Sequence, residues 1–104
     1  MRLTTQQIET IKSTTEKTVM DVMGGGFVGV TLFGSRVDDS KRGGDIDLMV
    51  TTNQPIENPA LMISKVWTSL QIALGEQKID LLLDAPNLQH QAIHHVAKRE
   101  GIRL

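Results

Sequence analysis

Two aspartates, Asp45 and Asp47, stand one residue apart at the head of an apolar run in the stretch LFGSRVDDSKRGGDIDLMV, residues 32–50. If Ile46, Leu48 and Val50 face a core, the two-residue period of a strand sends both carboxylates to the opposite face, about 7 Å apart. Two such charges repel by roughly 2 to 3 kcal/mol at an effective dielectric near 20, so the pattern calls for a compensating cation or for water. A second acid-aliphatic run, KIDLLLD at 78–84, repeats the local arrangement. Its period places Ile79, Leu81 and Leu83 on one face and Asp80, Leu82 and Asp84 on the other, so Asp80 can join Asp45 and Asp47 if the strands are neighbours. Three converging carboxylates make a hard-oxygen site suited to Mg²⁺ or Mn²⁺, which keep several waters and complete their shell with substrate phosphates. The competing reading is a set of solvated acids at strand ends, and composition does not separate the two.

Gly34 and Ser35 follow the apolar stretch FVGVTLF. A glycine at a strand end lets backbone approach a ligand, and the serine offers an N–H and a hydroxyl to a phosphate oxygen. Between this turn and Asp45 lies a polar loop in which Asp38 and Asp39 oppose an anionic substrate and Lys41 and Arg42 offset them. The loop is expected to be solvated, with Arg36, Lys41 and Arg42 as its candidate phosphate contacts. Asp84 is a weaker competitor for the third metal position, since Ala85-Pro86 ends its strand. His90 and His94 lie four apart on an expected helix and could share a metal, but no third ligand is nearby and a solvated face is the expectation. Trp67 falls on an apolar helical stripe and is expected to pack in a core or interface, as are Met20 and Met23.

The elements that must position these residues are legible from periodicity. Thr4-x-x-Gln7 is a capping-box pattern, and Ile8, Ile11, Thr15, Val19 and Val22 follow at helical spacing until the glycines at 24–26. Residues 27–33 read as a buried strand, 45–52 as a second, and the proline-bearing segment NQPIENP as a connection. Asn58 and Pro59 start a helix marked by Met62, Ile63, Val66, Trp67, Leu70 and Leu74, with Gly75 as its stop. Residues 78–84 form a third strand, and Asn87 is expected to cap a last helix through Leu88, Ala92, Ile93 and Val96 toward Gly101. The order is αββαβα, which predicts an α+β fold: a mixed sheet with helices packed against it.

The 104 residues fit one domain, 1–104, with no room for a separate substrate domain. No apolar run approaches the length of a membrane span, and MRLTTQQIETIKS lacks the apolar core of a secretory signal, so a cytoplasmic protein is expected. The absence of cysteine excludes disulfides and thiolate metal sites. A net charge of −1 argues against general nucleic-acid binding, leaving nucleic acid a role only as an acceptor, and is compatible with a nucleotide held through a metal.

Taken together, an apolar strand, Gly34-Ser35, nine intervening residues, the Asp45-Ile46-Asp47 run on another strand and a later Ile79-Asp80 resemble the nucleotidyltransferase signature of the DNA polymerase beta superfamily. The resemblance is to its minimal nucleotidyltransferase (MNT) branch and covers nearly the whole chain. It implies that Gly34 and Ser35, with Arg36 beside them, hold the phosphates of a nucleoside triphosphate, in particular ATP. It further implies that Asp45, Asp47 and Asp80 bind two Mg²⁺ ions, and that Asp80 doubles as a proton acceptor. The activity implied is transfer of AMP or another NMP to a hydroxyl, with pyrophosphate leaving.

MNT chains of this size resemble the antitoxin half of HEPN/MNT toxin-antitoxin pairs. The resemblance thus implies a hydroxyl acceptor, a tyrosine, on a small helical HEPN ribonuclease, held through exposed apolar residues of the first or last helix. The alternative is a binding module that neutralises its partner by contact, with the nucleotide site vestigial. Transfer to a small antibiotic or sugar is disfavoured, because relatives that do so carry a further domain for the acceptor.

Overall fold

A computed structural model describes residues 3–37 and 44–104. Helix α1 spans Thr5–Met23, and both halves of its capping box form: Gln7 N–H donates to Thr4 Oγ1 at 3.0 Å, and Thr4 N–H donates to Gln7 Oε1 at 2.9 Å. Ile11, Thr15 and Val19 are its buried stripe, and Gly24 ends it in the left-handed region at φ 77°. Strand β1, Phe27–Phe33, leads into a 3-10 turn, Gly34–Val37. Strand β2 is Ile46–Thr52, helix α2 is Pro59–Leu74 and strand β3 is Ile79–Asp84. Helix α3, Ala92–Glu100, and a short strand β4, Ile102–Arg103, complete the order.

The sheet runs β3-β2-β1-β4. β1 pairs antiparallel with β2 and with β4, while β2 and β3 are parallel, joined by the α2 crossover. The fold is therefore α+β with a mixed sheet. Strand parity divides its faces. Val30, Leu32, Ile46, Leu48, Val50 and Leu83 face α1 and α2 and build the main core with Ile11, Val19, Met62, Val66 and Leu70. Each such aliphatic side chain contributes about 1.5–3 kcal/mol by leaving water. Phe33, Met49 and Leu82 project the other way, where α3 covers part of the sheet through Ala97. The face that carries the acids is thus only partly covered.

The C-terminal third departs from the sequence expectation. Asn87 caps no helix: its Oδ1 accepts from Ile56 N–H at 2.9 Å and its Nδ2 donates to Ile56 O at 2.8 Å, so its amide ties the segment after β3 to the connection before α2. With that amide engaged, helix begins only at Ala92, with Gln91 as N-cap. His94 is 4% exposed rather than solvated. Its Nδ1 accepts from Gln91 N–H at 3.0 Å, which leaves Nε2–H to donate to Leu83 O at 2.8 Å, defining a neutral tautomer that pins α3 to β3. β4 was not expected at all.

Exposed apolar side chains lie on all three helices: Met20 and Val22 on α1, Ile93 on α3, and most numerously Leu61, Ile63, Trp67 and Ile72 on α2, the last 81% exposed. Among the described residues, no helix is long and apolar enough to cross a membrane.

Candidate functional site

The antiparallel pairing sets Phe33 opposite Asp47, and the parallel pairing sets Asp47 opposite Asp80. Both carboxylates lie on the partly covered face, in register on adjacent strands, at the end of β1 where the chain turns. Asp80 is exposed and Asp47 half-buried. Asp47 has its pKa raised to about 6, first by burial, then by the charge of Asp80 and the hydrogen bond with it, and last by the charge of Asp45. A carboxyl group of this kind holds a proton that a cation could displace.

Gly34 shapes this pair. Its φ is +75°, and a Cβ at this position would collide with Asp47 Oδ2. Glycine is thus required twice over, by backbone conformation and by the carboxylate that occupies the space of its missing side chain. Arg36 Nε donates to Gly44 O at 3.4 Å, joining the two ends of the intervening loop beside the acids. Ser35 sits second in the 3-10 turn. The contacts expected of its hydroxyl, and those of Asp38, Asp39, Lys41 and Arg42, fall outside the described residues.

Asp45 precedes Ile46, the first paired residue of β2. Off the ladder, it acts on Asp47 through charge. Among the described residues no three His, Asp or Glu side chains are grouped to hold one ion, so the structure brings together two of the three expected acids. Only oxygen donors stand at this pair, which suits a hard cation over a softer one. A cavity of about 350 Å³ adjoins it, with Phe33, Leu82, Ile93 and Val96 as its apolar wall. The sequence reading missed Ile93 and Val96 as wall residues. Helical spacing marked both as apolar, but only the docking of α3 turns them toward the acids.

Asp84, the competitor for the third metal position, has other partners. Its Oδ1 lies 2.6 Å from His90 Nε2, and its Oδ2 lies 3.5 Å from Lys98 Nζ and accepts from Thr51 Oγ1 at 3.4 Å. Burial pushes its pKa up, but the His90 hydrogen bond and the Lys98 and His90 charges outweigh this, and the net shift is downward. A larger groove of about 680 Å³ lies along α2 between Trp67, Ile72 and Lys78, away from both acids of the pair.

No protein-family profile matches the chain, and no curated protein matches it in sequence. A solved structure of the tri-AMPylated Shewanella oneidensis HEPN toxin in complex with MNT antitoxin contains a similar chain, the antitoxin. The TM-score is 0.60 at 18% identity, covering 93% of this chain and 70% of that one. At that identity the likeness speaks for the arrangement of helices and strands, and it coincides with the sequence resemblance drawn from Gly34, Asp45, Asp47 and Asp80. This chain therefore shares the fold of the MNT antitoxin in that complex.

Proposed function

We propose that the protein is a cytoplasmic, Mg²⁺-dependent nucleotidyltransferase of antitoxin type that transfers AMP from ATP to a hydroxyl on a HEPN-type partner protein. The observation that carries this reading is the in-register pair Asp47–Asp80 beside the Gly34 turn, where burial and the neighbouring acids raise the Asp47 pKa so that it keeps a proton up to a pH of about 6. A bound cation would relieve the repulsion that raises it. Mg²⁺ is commonly held by one or two carboxylates plus substrate phosphates, so a pair with Asp45 close by meets its needs without a three-acid cage. The fold neighbour's partner carries three AMP groups, which supports AMP as the group transferred.

In this reading Asp47 and Asp80 hold the metal ions, with Asp45 adding negative charge. Two Mg²⁺ ions, or Mn²⁺ in their place, would neutralise the triphosphate and lower the pKa of the acceptor hydroxyl. The turn beginning at Gly34 admits the phosphates close to the backbone, with Ser35 and Arg36 as the flanking contacts. The acceptor oxygen bonds to the α-phosphorus as the bond from that phosphorus to the β-phosphate oxygen breaks, and pyrophosphate leaves. The hydroxyl proton passes to the exposed Asp80 carboxylate and from there to water. The apolar wall of Phe33, Leu82, Ile93 and Val96 offers a surface for a nucleotide base.

The test is incubation with labelled ATP, Mg²⁺ and the HEPN-type protein encoded beside it, with intact-mass analysis of that partner. AMP on the partner, lost with Asp47→Asn, is the expected result. A stable, neutralised complex that carries no AMP and forms equally well with Asp47→Asn overturns the enzymatic reading in favour of inhibition by contact, for which the exposed Trp67 and Ile72 of α2 would serve.

A further inference from the structure

The far end of the acid-bearing sheet face holds a second cavity, of about 410 Å³, that the acid pair does not line. Strand register builds it: Thr31 on β1 pairs with Arg103 on β4, and Thr51 on β2 pairs with Asp84 on β3. Thr51 lies four residues along β2 from Asp47, about 13 Å at the rise of a strand. The packed cluster of Phe33, Met49 and Ala97 belongs to the same face between the two. The cavity is therefore separate from the candidate active site.

Its lining has more cation than anion. Lys98 and Arg103 face a single carboxylate, Asp84, whose two oxygens are already engaged by His90 on one side and by Lys98 and Thr51 on the other. The Arg103 side chain makes no hydrogen bond or ion pair among the described residues. Its side chain folds across Gly29, where a Cβ would come within 2.5 Å of Nη1, so the missing side chain of the glycine makes room for the guanidinium. Thr31 is only 7% exposed and lines the cavity, and its side chain likewise makes no hydrogen bond among the described residues. A threonine that is nearly buried yet whose hydroxyl is not engaged by another side chain, beside a guanidinium without a counter-ion among the described residues, is an arrangement that a ligand would complete.

We propose that this cavity binds a phosphate group, free or carried by a small nucleotide, with Arg103 as its principal partner and Thr31 as a hydroxyl donor. The guanidinium fork matches two phosphate oxygens at once, and the hydroxyl and Lys98 supply further donors that a planar carboxylate would leave unused.

The test is a titration of the whole protein followed by amide NMR, with inorganic phosphate in one arm, AMP in a second and acetate in a third, at constant ionic strength. Saturable shifts at Thr31 and Arg103 with phosphate or AMP are expected, and the arm with the tighter binding identifies the source. Arg103→Gln should weaken binding by about tenfold or more, the loss of a charge-assisted bidentate contact. Gly29→Ala provides a second variant: Gly29 does not have a positive φ, so the strand accepts alanine, and the new Cβ displaces the flexible guanidinium. It should weaken binding by about three- to tenfold while leaving the fold unchanged. No saturable shift with phosphate or AMP, equal shifts with acetate, or unchanged affinity in both Arg103→Gln and Gly29→Ala would each overturn the proposal.

Discussion

Along one face of the sheet, the same two strands bring an acid into register twice, Asp80 opposite Asp47 and Asp84 opposite Thr51. At the first position the neighbour is another acid, and the Asp47 pKa rises to about 6. At the second, the neighbours are a hydroxyl, an imidazole and an ammonium, and the Asp84 pKa falls despite burial. Strand, face and residue type are shared, so the difference lies in what surrounds each carboxylate. Asp84 is supplied with partners by α3 and its preceding turn, and serves to anchor them. Asp47 is crowded by burial and by Asp80 and Asp45 instead, and the fold carries an electrostatic cost there that a bound cation would relieve.

The widest separation between the two positions should appear in activity. Asp47→Asn is expected to lower AMP transfer by more than about 100-fold, since losing a direct ligand exceeds the 10- to 100-fold cost of losing a ligand's supporting contact. Asp84→Asn should leave transfer within a few-fold of wild type. Equal losses in a labelled-ATP assay would erase the distinction drawn here.

Next comes Gly34→Ala, which probes the pair through the turn. A left-handed backbone costs a non-glycine residue about 1–2 kcal/mol, and the new Cβ also displaces the Asp47 carboxylate. A drop in stability of that size in urea unfolding, together with a large loss of transfer, is expected.

In stability the two aspartates should differ in sign. Because the Asp47 pKa is raised on folding, its proton favours the folded state at low pH, and that contribution is lost as pH rises from about 4 to about 6. At pH 7 Asp47→Asn should therefore stabilise the fold by about 1 to 2 kcal/mol, after allowing for solvent screening of a half-exposed group. The Asp84 pKa is lowered, so its contribution is present above the ordinary carboxylate range and is lost as pH falls through that range. Asp84→Asn should destabilise by about 1–2 kcal/mol at pH 7, because its partners His90 and Lys98 stay solvated. Chemical denaturation of both variants at pH 4.5 and 7 checks the signs.

The smallest expected effect sharpens the comparison most selectively. Mg²⁺ must displace the Asp47 proton, so its apparent affinity should weaken by up to about tenfold per pH unit below about 6. The rise in melting temperature with millimolar Mg²⁺ and ATP should fade over that range, vanish in Asp47→Asn and persist in Asp84→Asn. A pH-independent rise would place the cation elsewhere.

Much of this arrangement is written in local pattern. The capping box at Thr4 and Gln7, Pro59 after Asn58, and the alternation through 46–50 and 79–83 each state their element within a few residues, because capping and strand parity are short-range. The same parity places Asp47 and Asp80 on the face opposite the main core. What parity does not encode is register between strands, which depends on how the α2 crossover seats β3 against β2. Register alone makes Asp80 rather than Asp84 the partner of Asp47, and it leaves Asp45 off the ladder. The chain beyond β3 was legible least. Asn87 looks like a helix cap until Ile56, distant in sequence, takes its amide, and His94 looks solvated until Leu83 and Gln91 bury it. β4 has two residues, too few to show a period, and exists because β1 offers an open edge. Polar side chains and backbone groups with several possible partners take the one that folding brings near, and only the tertiary structure decides which.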